Sequence, residues 1–354
     1  MDKKLVKNFI TPITNQYVEI GPDCGKDVYI FALESSCDET AAAIVKNGRE
    51  VIANTVSTQI KTHELYGGVI PEIAAREHLE AVNLVIEKTF EESGLKAEEV
   101  TAFAATVGPG LVGSLLVGLN AAKSLSLIWD KPFIGVNHLN AHVCANYLQT
   151  DLEPPFVALL VSGGHTQIIQ VDDYMTQKIV GETIDDAAGE AYDKVARLLG
   201  LPYPGGVYLD KLAPSGNPKA FELPEAKVGE YDFSFSGLKT AVLRLVQNLE
   251  KENSELPKAD IAASFQERIT KTLLKKTKKA ADIVGYKKIV LAGGVAANSE
   301  IRRKFFNLEK DGYKIFAPAM KYCTDNASMI GSAAYFLCNT FDDLDVEVFS
   351  RCGR

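Results

Sequence analysis

The sequence predicts an α/β protein made of two similar halves, and three observations carry that expectation. Short apolar runs alternate with helical stretches along most of the chain, the pattern of layered α/β folds. Each half opens with a hairpin of two strands around a small polar turn. Three glycine turns, "GPGLVGS" (108–114), "SGGHT" (162–166) and "AGGVAANS" (292–299), each follow a strand-like run. At 354 residues the chain is long for one core, so two domains are expected.

In chain order, residues 1–28 read as an extension before the fold. "VYIFALESSCDETAAAIVKNGREVIANTVST" reads as three strands with turns at "SSCDE" and "NGR", the second a strong hairpin signal. "AAREHLEAVNLVIEKTFEESG" has helical spacing, with Leu79, Val82, Val85 and Ile86 on one face. "EVTAFAATVGPGLVGSLLVGLNAAKSLSLIWD" reads as strand, glycine turn and helix, and "PFIGVNHLNAHVCANYL" as strand then helix. After Pro154-Pro155 a second series begins. "FVALLVSGGHTQIIQV" is two strands around a glycine turn, and "DDAAGEAYDKVARLLG" is a helix stopped by Gly200. "DFSFSGLKTAV" (232–242) alternates like a strand, residues 258–284 form a long lysine-bearing helix, and "KKIVLAGGVAANSEIRRKFF" is again strand, turn and helix. "CTDNASMIGSAAYFLCNTF" is a last helix capped by Thr324 or Asp325.

Composition narrows the function. Apolar residues make up 46% and charged residues 24%, a globular balance. A net charge of −8 argues against a free-standing nucleic-acid binder, but not against a local basic patch. Lys271, Lys275, Lys276, Lys278 and Lys279, with Arg302, Arg303 and Lys304, read as solvated charge or as a phosphate-backbone track. None of the six cysteines forms a C-x-x-C pair, which excludes zinc-ribbon and thioredoxin-like motifs and fits a reducing cytosol. The N-terminal residues lack a signal-peptide core, and no stretch reads as a membrane span; a soluble, cytoplasmic protein is expected.

The motifs carry chemistry. Glycine turns after strands let backbone N–H groups approach an anion, so a nucleotide site is expected. There is no Walker A lysine and no G-x-G-x-x-G, which disfavours P-loop and Rossmann sites. "NHLNAH" places His138 and His142 four apart on a helix, so both imidazoles can reach one cation. The spacing lacks the H-E-x-x-H glutamate, which disfavours a metalloprotease. An open, catalytic site needs a third ligand from elsewhere, and Asp325 at a helix start is a candidate. "ESSCDET" (34–40) offers Asp38 and Glu39, either as a polar hairpin tip or as groups orienting a ligand. "DDAAGEAYDKVARLLGLPYPGG" (185–206) offers Asp185, Asp186, Glu190 and Asp193, either as a solvated face or as partners for ribose hydroxyls.

Together "ESSCDET", "YGGVIPEIAAREH", "VGPGLVGSLLVG", "NHLNAH", "LLVSGGHTQ", "DDAAGEAYDK", "GLPYPGG", "FSFSGLKT", "AGGVAANS" and "CTDNASMIG" resemble, in order, the blocks of the universal tRNA threonylcarbamoyladenosine transferases, once described as glycoproteases. They span about 29–335, with wording similar to the bacterial branch; Val207 stands where a proline commonly follows the two glycines. The resemblance implies an actin-like, Hsp70-like two-lobe α/β fold with a central nucleotide cleft. Its first lobe would be 29–136, completed by the C-terminal helix 325–341, and its second 137–324. It implies that His138, His142 and Asp325 bind one divalent metal, Fe2+ or Zn2+. It implies that Leu160, Val161, Ser162, Gly163, Gly164, Asp193, Gly206, Asp210 and Asn298 contact a threonylcarbamoyl-AMP donor. The acceptor it implies is N6 of the adenosine 3′ of the anticodon in tRNAs reading ANN codons. Asp38 or Glu39 would help move the amine proton. Implied partners are the tRNA anticodon loop, a paralogous actin-like subunit (TsaB) and a P-loop ATPase (TsaE). The rival classes are an actin-like small-molecule kinase, which needs no histidine-bound metal, and a nucleotide-binding scaffold.

Overall fold

A computed structural model describes residues 19–22, 24–252, 255–338 and 340–351. The chain divides into two compact units, one of residues 1–151 with 325–354 and one of residues 152–324. Most of the expected extension, 1–18 and 23, and Cys352 lie outside the described residues.

The first unit is built on a five-stranded sheet of order β3-β2-β1-β4-β5. The strands are β1 (Tyr29–Glu34), β2 (Glu39–Lys46), β3 (Glu50–Thr58), β4 (Ala102–Gly108) and β5 (Phe133–Asn137). β1, β2 and β3 run antiparallel in turn, as their tight turns require, while β4 and β5 join in parallel after helical crossovers. The "NGR" turn forms as predicted: Asn47 and Gly48 are both at positive φ, Arg49 N donates to Lys46 O, and the three residues 47–49 join the paired Lys46 and Glu50. β1 and β4 are almost wholly apolar because both faces are covered. On one face Phe31 stacks on Phe90 of α2 (Pro71–Ser93), with ring centroids 4.8 Å apart. On the other, Ala32 and Val45 meet Gly331 of α10 (Ala327–Phe336), every residue of which is buried.

One expectation fails in part. The inner face of α2 is Ala74, His78, Val82, Val85 and Thr89, while Leu79 is exposed. α3 (Val112–Trp129) is by length and composition apolar enough to span a membrane. It lies against β4 and α2, burying a stripe of Ser114, Leu115, Gly118, Leu119, Ala122 and Ser126. Between them, α1 (Ile60–Glu64) is a single turn and α4 (His138–Cys144) starts directly at the end of β5.

The second unit repeats the topology, with order β10-β9-β6-β7-β8. β6 (Phe156–Val161), β7 (Thr166–Val171) and β8 (Gln177–Glu182) are antiparallel, and β9 (Lys288–Ala292) and β10 (Lys314–Phe316) add in parallel. β8 escapes the sequence reading because it is a short edge strand with largely exposed side chains. Among the described residues the unit also holds the α-helices α5 (Ala188–Leu198), α6 (Gly205–Leu212), α7 (Ser236–Lys251), α8 (Lys258–Val284) and α9 (Ser299–Phe306). The strand expected at 232–242 is one bridge, Thr183 to Phe233, followed by α7. Asp185 explains the switch. Its carboxylate accepts from the Ser234 and Ser236 hydroxyls and from the Phe235 and Ser236 amides, satisfying the donors at the start of α7.

Candidate functional site

The histidine pair is placed by local structure. Asn137, the last residue of β5, caps α4 by accepting hydrogen bonds from Leu139 N and Asn140 N. The cap starts the helix at His138, so His142 falls one turn on with its ring 4.7 Å away and nearly perpendicular. Asp325 arrives from the other end of the chain. The side chain that caps α10 is Asn326, which accepts from Met329 N; neither Thr324 nor Asp325 fills that position. Asp325 is left to face the histidines, with Oδ1 3.2 Å from His142 Nε2 and 3.5 Å from His138 Nε2. One ligand atom from each of the three lies within 4.8 Å of the others. Two imidazole nitrogens and one carboxylate oxygen so grouped suit a divalent transition ion with open positions. Cys144 stays out of this set; it is buried, and burial pushes its thiol far up.

The sequence reading missed Glu34. It ends β1, its side chain is wholly buried, and its Oε2 lies 3.1 Å from His138 Nδ1. The carboxylate also accepts from the Thr106 hydroxyl at 2.6 Å and from Ser36 N at 2.5 Å. Charges then set protonation among these groups. Burial disfavours a charged His138, but Asp325 and Glu34 outweigh it and raise its pKa to about 9. Burial likewise opposes ionisation of Asp325, and His138 and His142 overcome it, lowering its pKa to about 2.

The "ESSCDET" turn adjoins this cluster. Ser35 Oγ donates to Ser114 O and accepts from Gly118 N, and Ser36 O accepts from Leu111 N. The "GPG" turn is thus packed against the acidic turn; a Cβ on Gly110 would lie 2.6 Å from Ser36 O. Its glycines serve close approach, not an open anion cradle. His78, buried on α2, donates from Nε2 to Cys37 O and takes a hydrogen bond from Thr40 Oγ1 at Nδ1. It fixes the turn from below. Glu39 is driven by burial, and by Asp38 and Asp325, to hold its proton up to a pKa of about 9.

The second unit gathers the other predicted residues. Leu160 and Val161 end β6, Ser162 turns the chain, and Gly163 and Gly164 are open to space. Gly293 sits at φ +87 with its Cα against the Val161 carbonyl, so the "SGG" and "AGG" turns lie side by side. Asp193 on α5 accepts from Gly206 N at 2.9 Å, and Asp210 on α6 accepts from the amide and hydroxyl of Ser299. Asn298 caps α9 through Ile301 N and donates to Gln266. Val207 occupies the first turn of α6, where an N–H has no helical partner, so it fits where a proline would. Of the other acids, Asp186 and Glu190 pair with Lys194.

The basic stretch is largely neutralised. Lys275 pairs with Glu225, Lys278 with Asp311, Lys279 with Glu230, and Lys276 donates to Gly229 O. Arg303 binds Glu300, Lys304 binds Glu267, and Arg302 donates to the Ala296 and Pro318 carbonyls. These partners take most of the charge that a phosphate track needs.

In fold, the chain is similar to full-length HypF in its phosphate- and nucleotide-bound form, with TM-score 0.60 and 15% identity over 88% of this chain and 46% of that one. It is equally similar to T. kodakarensis HypF, with TM-score 0.60 and 15% identity over 91% and 50%. The fold class is the actin-like α/β class with two five-stranded sheets. The family model for TsaD, tRNA N6-adenosine threonylcarbamoyltransferase, matches residues 50–332. Relatives of that name share 53% identity in Clostridium perfringens over 87% of this chain and 92% of theirs, and 52% in Microcystis aeruginosa over 91% and 96%. One from Clostridioides difficile shares 48% over 88% and 93%. The chain belongs to the TsaD family.

Proposed function

We propose that this chain transfers threonylcarbamoyl from threonylcarbamoyl-AMP to N6 of the adenosine 3′ of the anticodon in tRNAs reading ANN codons. Membership of the TsaD family supports the transferase reading, and the kinase and scaffold alternatives are not favoured. The observation that carries the chemistry is the convergence of His138, His142 and Asp325 from distant parts of the chain.

In this reading those three residues hold one divalent ion, iron or zinc. When bound, the ion supplies Lewis-acid stabilisation of charge building on oxygen. The chain's own residues do the rest. Backbone amides of 162–164, with Asp193, Gly206, Asp210 and Asn298, bind and orient the adenylate. Amine N6 attacks the carbamoyl carbonyl, a C–N bond forms, and the C–O bond to AMP breaks with AMP leaving. Asp38 takes the N6 proton; Glu39, which keeps its own proton at neutral pH, is a hydrogen-bond donor there instead of a base.

The natural setting is the cytoplasm, with tRNA as acceptor. Protein helpers such as the paralogous actin-like subunit TsaB and the ATPase TsaE complete the reading. Support for a docked protein comes from α2 and α3, which pack together and leave Leu79, Leu84, Val112, Leu116 and Ile128 exposed.

The test is threonylcarbamoyl transfer to unmodified tRNA with partners present, for wild type and His138→Ala/His142→Ala, with metal content measured in both. Loss of metal and of modified nucleoside together is expected. Full activity in a metal-free variant would sink the metal reading.

A further inference from the structure

The two histidines of the site are not held alike. His142 Nδ1 is buried and has no hydrogen-bond partner. His138 Nδ1 has two candidates, Glu34 Oε2 at 3.1 Å and Ser36 Oγ at 3.2 Å. A carboxylate only accepts, so a proton is held on Nδ1, and Nε2, which faces Asp325, is the nitrogen left to give up its proton and offer a lone pair to a metal. Glu34 in turn is fixed at both oxygens. Thr106 Oγ1 donates to Oε2 and Ser36 N to Oε1, which ties the carboxylate to β4 and to its own turn. Nothing about the strand requires an acid there. The preceding residues of β1, Ile30 to Leu33, are buried apolar side chains, and a charged side chain with no exposure needs a reason to be retained.

The geometry points to Glu34 as the positioning residue of the metal site: it sets the His138 tautomer, aims Nε2, and strengthens that ligand. This rests on the metal reading above. It assigns to the first residue of "ESSCDET" a role distinct from those of Asp38 and Glu39. Hydrogen-bonded carboxylates behind metal-bound histidines typically change metal affinity by about 10- to 100-fold.

The experiment uses the full chain, stripped of metal and titrated with Co2+ against a chelator. The visible absorption of bound Co2+ is recorded, together with the folded fraction of each stripped protein. The variants are Glu34→Ala, Glu34→Gln, Thr106→Val and His138→Ala. The expected order of weakening is Glu34→Ala, then Glu34→Gln, which keeps an acceptor but loses the charge, then Thr106→Val, which only loosens the carboxylate. Glu34→Ala is expected to lose about 10- to 100-fold in Co2+ affinity per folded molecule and to shift the absorption band. A purely structural role would lower the folded fraction but leave affinity and band unchanged. If Glu34→Ala does not fold, Glu34→Gln and Thr106→Val carry the test. Tight wild-type binding with Glu34→Gln within twofold of it would overturn this inference alone. Equal binding by wild type and His138→Ala would overturn the metal reading, and this inference with it.

Discussion

The two units share one strand topology, yet the turns at corresponding places differ in kind. β1 and β2 are joined by "SSCD", and their equivalents β6 and β7 by "SGGH". At the first turn the side chains are committed: Ser35 Oγ binds α3, Ser36 Oγ lies beside His138, and Glu34, just before the turn, binds β4 and His138. In the second, Gly163 and Gly164 have no neighbour where a side chain would begin, and the backbone is what is on offer. The same β-hairpin therefore presents carboxylates in one unit and amides in the other. Carboxylates suit a cation and a proton transfer, and open amides suit an anion. A duplicated scaffold acquires two chemistries by changing a few residues at one turn.

That contrast can be broken by mutation. The largest effect is expected from Asp38→Ala. A side-chain role in proton transfer predicts a fall of about 100-fold or more in single-turnover transfer with donor bound, and little change in donor affinity. An unchanged rate would remove Asp38 from the chemistry. Gly163→Val should do the opposite. There is room for the side chain in the folded protein, so stability should hold within about 0.5 kcal/mol. The side chain would screen the amides, so donor affinity should fall while the rate from saturated enzyme is kept. Unaltered donor binding, measured by calorimetry, would mean that the turn does not hold the anion. Gly293→Ala probes the neighbouring turn through stability. Its Cβ would lie 2.5 Å from the Val161 carbonyl at φ +87, and both clash and backbone strain oppose it. A loss of about 2 kcal/mol or more is expected in urea unfolding.

The strands and glycine turns were legible because strand period, turn chemistry and flanking helices all agree over short spans. The histidine pair was legible for the same reason, since i,i+4 spacing is local. What depends on distant partners was not. Glu34 looked like part of a polar hairpin tip, although an acid closing the apolar run "YIFAL" is a signal that it is buried with a partner. The lysines of α8 looked free because Glu225, Glu230 and Asp311, which neutralise them, lie far off in sequence. The cap of α10 is Asn326 where Thr324 or Asp325 was expected, and that leaves the aspartate free for the histidines.

The smallest expected effect separates the two acids of the first turn. Glu39 keeps its proton in the folded, metal-free chain up to a pKa of about 9, pushed there by burial and by Asp38 and Asp325. In the unfolded chain it titrates near the ordinary value of about 4.3. Between those values the unfolded chain releases a proton that the folded chain keeps, so stability declines as pH rises through the window. Glu39→Gln carries the uncharged shape throughout and should remove that slope. At pH 8 the stripped variant should be more stable than the stripped wild type, and at pH 4 the two should coincide. Urea midpoints at both pH values measure it. Parallel curves for the two proteins would mean that Glu39 is ionised in the fold. It would then stand beside Asp38 as a second candidate base, and the acidic turn would offer two anionic groups where the structure argues for one.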